Sequence, residues 1–90
     1  MTLTRRLKPS DAVVFRELDG EAVLLNLDTG TYFGLDEVGT RIWLLIEQHG
    51  VLEPVCDAIV GEFDVDRTTA ERDILSLADA LERNGLVQVA

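Results

Sequence analysis

His49 and Cys56 are the only histidine and the only cysteine of the chain, and neither has a partner at a spacing that would make it a catalyst. His49 precedes Gly50 at the end of an apolar-periodic segment, where a cationic ring suits the negative end of a helix dipole. Cys56 falls in an apolar stripe, where a free thiol behaves as a small hydrophobe rather than a nucleophile. There is no Cys or His pair for zinc and no glycine-rich phosphate loop. Asp28, Asp36, Asp64 and Asp66 stand at turns and helix starts, where carboxylates satisfy backbone N–H groups, and no calcium-loop pattern surrounds them. These residues point away from an enzyme, and they call for no metal and no cofactor.

The stretch with chemistry of its own is Thr29-Gly30-Thr31-Tyr32-Phe33-Gly34-Leu35-Asp36, and the chemistry is that of its backbone. It reads as a short strand running into a helix cap, with no charge and no proline before Asp36. If the two runs before it pair as a meander, it is an edge strand, and natural edges are normally blunted by Lys, Pro or a bulge. An unprotected edge beside a helix invites an extended peptide to add as a further strand.

Ninety residues make one domain with a modest core and little room for a deep catalytic cavity. The hydrophobic share of 47% is that of a folded globule, and no apolar run approaches the roughly 20 residues that span a bilayer. The basic N-terminus lacks the apolar segment of a secretory signal, and one thiol builds no disulfide framework, so a cytoplasmic address is expected. Net charge is −9, from 17 acidic and 8 basic residues. The basic residues are scattered rather than gathered on one face, so a phosphate backbone is repelled. A neutral or basic peptide is easier to accommodate.

Residues 1–10 read as a flexible arm ending at Pro9-Ser10, and residues 11–90 as the domain. Residues 12–18 and 21–27 are strands about the two-residue turn Asp19-Gly20, and Asp28-Thr29-Gly30 leads to the third strand. The first strand carries Arg16 and Glu17 to discourage pairing, whereas the third carries nothing of the kind. Asp36 caps a first helix with Val38, Ile42, Leu45 and Ile46 at helical spacing. Leu52, Val55, Cys56, Ile59, Val60 and Phe63 mark a second helix, with Pro54 in its first turn. Asp66 caps a third, whose core stripe is Ala70, Ile74, Leu77 and Leu81. Asn84-Gly85 closes it, with Leu86 placed to touch Leu81. Leu86 to Val89 form a short fourth strand or an apolar cover. The result is an α+β domain of winged-helix type, with a three-stranded antiparallel N-terminal sheet followed by three helices.

Neighbouring strand residues face opposite ways, so one of Tyr32 and Phe33 packs inward and the other outward, and alternation alone leaves open which. On the third helix, the flank beside the core stripe is Glu71, Leu75, Ala78, Asp79 and Glu82. Leu75 there is either wider core or the floor of a groove. In the groove case the adjoining carboxylates meet a basic or hydroxyl side chain of a ligand. Two competing readings are a DNA-binding winged helix, disfavoured by those carboxylates, and a homodimer formed by pairing two exposed third strands.

The run from Gly20 to Trp43, followed by Phe63-Asp64-Val65-Asp66 and by Asp73-Ile74 through Leu81 to Gly85-Leu86-Val87, resembles the PqqD family of peptide-binding chaperones. The resemblance covers nearly the whole chain after Pro9. It implies a recognition element that holds the leader of a ribosomally made precursor peptide as an extra strand and presents it to a separate maturation enzyme. A radical S-adenosylmethionine (radical SAM) enzyme and a leader peptidase are the enzyme types it leaves open. Carried over, it places the leader backbone against Thr31, Tyr32, Phe33, Gly34 and Leu35, and leader side chains against Glu71, Ile74, Leu75, Ala78 and Asp79. The chain departs from the commonest pattern at Asp36, where Asn is frequent, and at Ala78, where Leu is usual.

Overall fold

Asp19 and Gly20 both adopt positive φ, 56° and 82°, in a computed structural model that describes residues 1–90. Two such residues in succession match the right-handed twist of the strands they join. They connect β2 (Val13–Leu18) to β3 (Glu21–Asn26). β4 (Thr31–Leu35) pairs antiparallel with the other side of β3, so the sheet order is β2-β3-β4. The turn between β3 and β4 is built on Asn26. Its Oδ1 accepts from the Asp28 and Thr29 N–H groups at 2.9 and 3.3 Å, and its Nδ2 donates to the Gly85 carbonyl at 2.8 Å. A nearly buried amide thus ties the sheet to the end of the last helix.

α1 (Glu37–His49) begins as soon as β4 ends, with Asp36 Oδ1 accepting from the Gly39 N–H at 2.7 Å. α2 (Leu52–Glu62) has no side-chain cap; instead the Leu3 carbonyl accepts from the Leu52 and Glu53 N–H groups, both at 3.2 Å. α3 (Arg67–Arg83) is capped by Asp66, which accepts from the Thr69 N–H at 2.8 Å. At its other end Gly85, at φ 70°, donates to Glu82 and Leu86 donates to Leu81, the two bonds of a Schellman motif. Leu81 and Leu86 are both fully buried, as the sequence led us to expect.

The amino-terminal segment differs from expectation. Leu7–Pro9 is a strand, β1, rather than the end of a flexible arm, and it pairs antiparallel with β5 (Val87–Val89). Leu7 is buried in the core and its N–H donates to the Gly50 carbonyl at 2.7 Å. Apolar anchoring and backbone pairing hold a segment whose basic residues, Arg5, Arg6 and Lys8, remain outside. The carboxy-terminal tail is therefore a strand, but of this separate two-stranded ribbon and not of the main sheet. The core gathers Leu24, Trp43, Ile46, Leu52, Val55, Cys56, Ile74, Leu81 and Leu86 between sheet, helices and ribbon. No helix is long and apolar enough to cross a membrane.

Arg41 clamps α1 to α2 through a bidentate pair with Glu62 at 2.7 and 2.8 Å. That hydrogen-bonded pairing holds the Glu62 carboxyl below its usual range, and the Thr69 hydrogen bonds do the same for Asp66. A carboxyl depressed in the folded state adds stability above its unfolded value, near pH 4, and loses it as pH falls through the folded value. We expect the melting temperature to fall on acidification below about pH 4, and less steeply in a Glu62→Gln, Asp66→Asn variant, as followed by circular dichroism. Removing the Asn26 amide deletes a nearly buried side chain together with its three part-buried hydrogen bonds to the backbone of Asp28, Thr29 and Gly85. Asn26→Ala is expected to cost about 2 kcal/mol, or about 10 °C of melting temperature, measurable by calorimetry.

Candidate functional site

β4 pairs only with β3, so one row of its N–H and C=O groups is unpaired. Beside that edge runs a groove of about 680 Å³. Phe33, Gly34 and Leu35 of β4 form one wall, with Val38 and Ile42 of α1 behind them. Ile59, Phe63 and Val65 also line it, and Ala70, Asp73, Ile74 and Leu77 contribute the α3 side. A strand laid along β4 would run between sheet and helix, with every second side chain directed into this space.

The alternation left open by the sequence is settled by burial. Phe33 lies on the inner face with Leu35, whereas Tyr32 is 72% exposed on the outer face. Gly34 shares that outer face, at an ordinary φ, and nothing lies within 4 Å of where a Cβ would stand. Neither backbone conformation nor crowding demands glycine there; its effect is to leave the edge bare for close approach of another backbone.

The third helix presents a different face from the one expected. Of Glu71, Ile74, Leu75, Ala78 and Asp79, only Ile74 reaches the groove. Glu71 Oε2 accepts from Arg67 Nε at 2.8 Å, and Arg67 also pairs with Asp57 of α2, so this carboxylate belongs to the α2–α3 seam. Leu75 is half-buried against the core, Ala78 is fully buried, and Asp79 lies 3.8 Å from the amino terminus. The buried stripe is Ala70, Ile74, Ala78 and Leu81, which rotates Leu77 out of the core and into the groove wall. The sequence carried a signal for this in Ala70 and Ala78. Small residues on one helical face allow close packing, so they belong beneath the helix, and the bulky Leu77 belongs to its side. Phe63, also expected in the core stripe of the second helix, is instead the extended residue that caps α2 and lines the groove.

The remaining singled-out residues hold structural positions. Asp36 and Asp66 are helix caps, and Trp43 is 1% exposed. Cys56 is buried in α2, and that burial pushes its thiol up from the ordinary value. α3 carries Glu71, Asp73, Asp79 and Glu82 along its length, a poor surface for a phosphate backbone.

The model of the family described as Coenzyme PQQ synthesis protein D (PqqD) matches residues 21–87. The chain belongs to the PqqD family. The matched span runs from β3 to β5 and so includes the whole groove. Two solved structures share the fold of this PqqD-family chain. One, described as TbiB1 in complex with the TbiA(beta) leader peptide, is 52% identical, with a TM-score of 0.85 over 90% of this chain and 94% of that one. The other, a lasso peptide synthetase B1 complexed with the leader peptide, is 26% identical, with a TM-score of 0.83 over 92% and 98% of the two chains. No curated protein sequence matches.

A buried thiol with a raised pKa offers little thiolate to an electrophile. Cys56 is therefore expected to stay unmodified by a disulfide reagent at pH 8 on the timescale on which it reacts fully in denaturant, as read by thiol absorbance.

Proposed function

We propose that this chain binds the leader segment of a ribosomally synthesised precursor peptide and delivers it to a separate maturation enzyme. The leader adds to the free edge of β4 as a further antiparallel strand, and its inward side chains fill the groove against α3. The observation that carries this reading is the coincidence of an unprotected strand edge with an apolar groove along the same edge. It is supported by the two relatives of the same fold, each complexed with a leader peptide.

Magnitudes require both parts of the site. About five main-chain hydrogen bonds contribute roughly 0.5 to 1.5 kcal/mol each, whereas micromolar affinity takes roughly 8 kcal/mol after association entropy has been met. The remainder falls to the groove, where buried apolar surface contributes about 25 cal/mol per Å². Backbone pairing fixes register and direction; the groove supplies strength. The enzyme that receives the peptide is a separate chain, of the radical SAM or leader-peptidase type.

The TbiA(beta) leader peptide is a ready probe. On adding it, alternate amides of Thr31–Leu35 should gain protection from hydrogen exchange, because only those facing the open edge acquire partners. Leu77→Asp, which puts a charge on the groove wall at a half-buried position, should weaken binding by about tenfold or more in a fluorescence anisotropy titration. The far-ultraviolet spectrum should be unchanged. Protection spread evenly over the chain, or affinity indifferent to Leu77→Asp, would count against strand addition.

A further inference from the structure

Ten of the 14 residues lining the groove are hydrophobic, and the only charged ones are Asp36 and Asp73. The two carboxylates are not equivalent. Asp36 is committed to the α1 cap through its 2.7 Å bond from Gly39. Asp73 meets only Arg72 Nε, at 3.4 Å, and both side chains are largely exposed. Such a pair between sequence neighbours is long and well hydrated, so it is easily exchanged. Two cations of the neighbouring helices are engaged elsewhere, Arg41 with Glu62 and Arg67 with Asp57 and Glu71. The groove thus has apolar walls, one available negative charge at its rim and no lining cation.

We propose that Asp73 is a specificity-determining residue that selects a lysine or arginine at one inward-facing position of the bound peptide; the proposal rests on the strand-addition reading above. Asp73 lies one helical turn before Leu77, on the same face of α3. Residues so spaced stand about 5–6 Å apart at Cβ. A long cationic side chain lays its methylene stem along Leu77 and Ile74 and sets its head at the Asp73 carboxylate, its aliphatic part buried and its charge at the wet rim. A glutamate at the same position meets Asp73 and the −9 charge of the chain, with no cation among the groove's lining and only the exposed Arg72 beside it. Apolar shape decides which segment fits, and Asp73 decides the sign of the charge it carries.

The test is a panel of TbiA(beta) leader peptides in which each residue in turn is replaced by Lys and, separately, by Glu. The panel is titrated by fluorescence anisotropy against the wild-type chain, Asp73→Asn and, as a control on the opposite flank of the helix, Asp79→Asn. At one position the Lys peptide should bind wild type about tenfold more tightly than the Glu peptide. Asp73→Asn should reduce that ratio to the level of the other positions, while Asp79→Asn leaves it intact. Raising salt from about 50 mM to about 500 mM should shrink it in wild type. Binding that responds to Leu77→Asp but shows the same Lys-to-Glu ratios with and without Asp73→Asn overturns the role of Asp73 and leaves strand addition standing. Failure of every peptide in the panel to bind overturns both.

Discussion

The open edge of β4 exists because the chain places every other candidate partner elsewhere. β4 passes directly into α1 through Leu35 and the Asp36 cap, so no following hairpin returns to cover it. The one later strand, β5, is held by β1 in a ribbon of its own. That ribbon is fastened at several points: Leu7 to Gly50, Ser10 to Leu86, and Ala90 to Arg6. The ribbon occupies the tail and leaves β4 unpaired.

An unpaired edge alone is a hazard, since it pairs with any extended chain. In the proposed reading the groove makes the edge selective, by requiring apolar side chains at alternate positions of the guest. Its walls come from residues that a domain of this size would ordinarily bury, Phe33, Phe63 and Leu77, left half-exposed because sheet and α3 do not close on one another. The acidic surface adds a second filter. Carboxylates along α3 oppose nucleic acid and favour a neutral or basic peptide.

Local rules carried much of the fold. The Asp19-Gly20 turn, the caps at Asp36 and Asp66 and the Schellman close at Gly85 follow from residue types at short spacing. Each is settled by the few peptide units around it. The strand Leu7–Pro9 is not legible locally because its anchors are distant. Leu7 gains its partners from Gly50 and Val89, far along the sequence, and nothing within the arm announces them.

The face of α3 is the clearest case of what local pattern leaves undecided. Ala70, Ile74, Leu77, Ala78 and Leu81 are all apolar and adjacent on a helical wheel, so periodicity defines a broad stripe without fixing its centre. Packing chose Ala78 for the interior, since a small side chain admits close approach, and that rotation carried Leu77 and Asp73 to the groove and Leu75 and Asp79 away from it. The amino-acid order by itself determined most of the elements, their ends and the absence of charge or proline along the third strand, because those depend on residue types and backbone preferences over a few residues. Only the tertiary structure decided which side chains face the edge, because a helix's rotation is set by the summed contacts of its whole length with the rest of the chain.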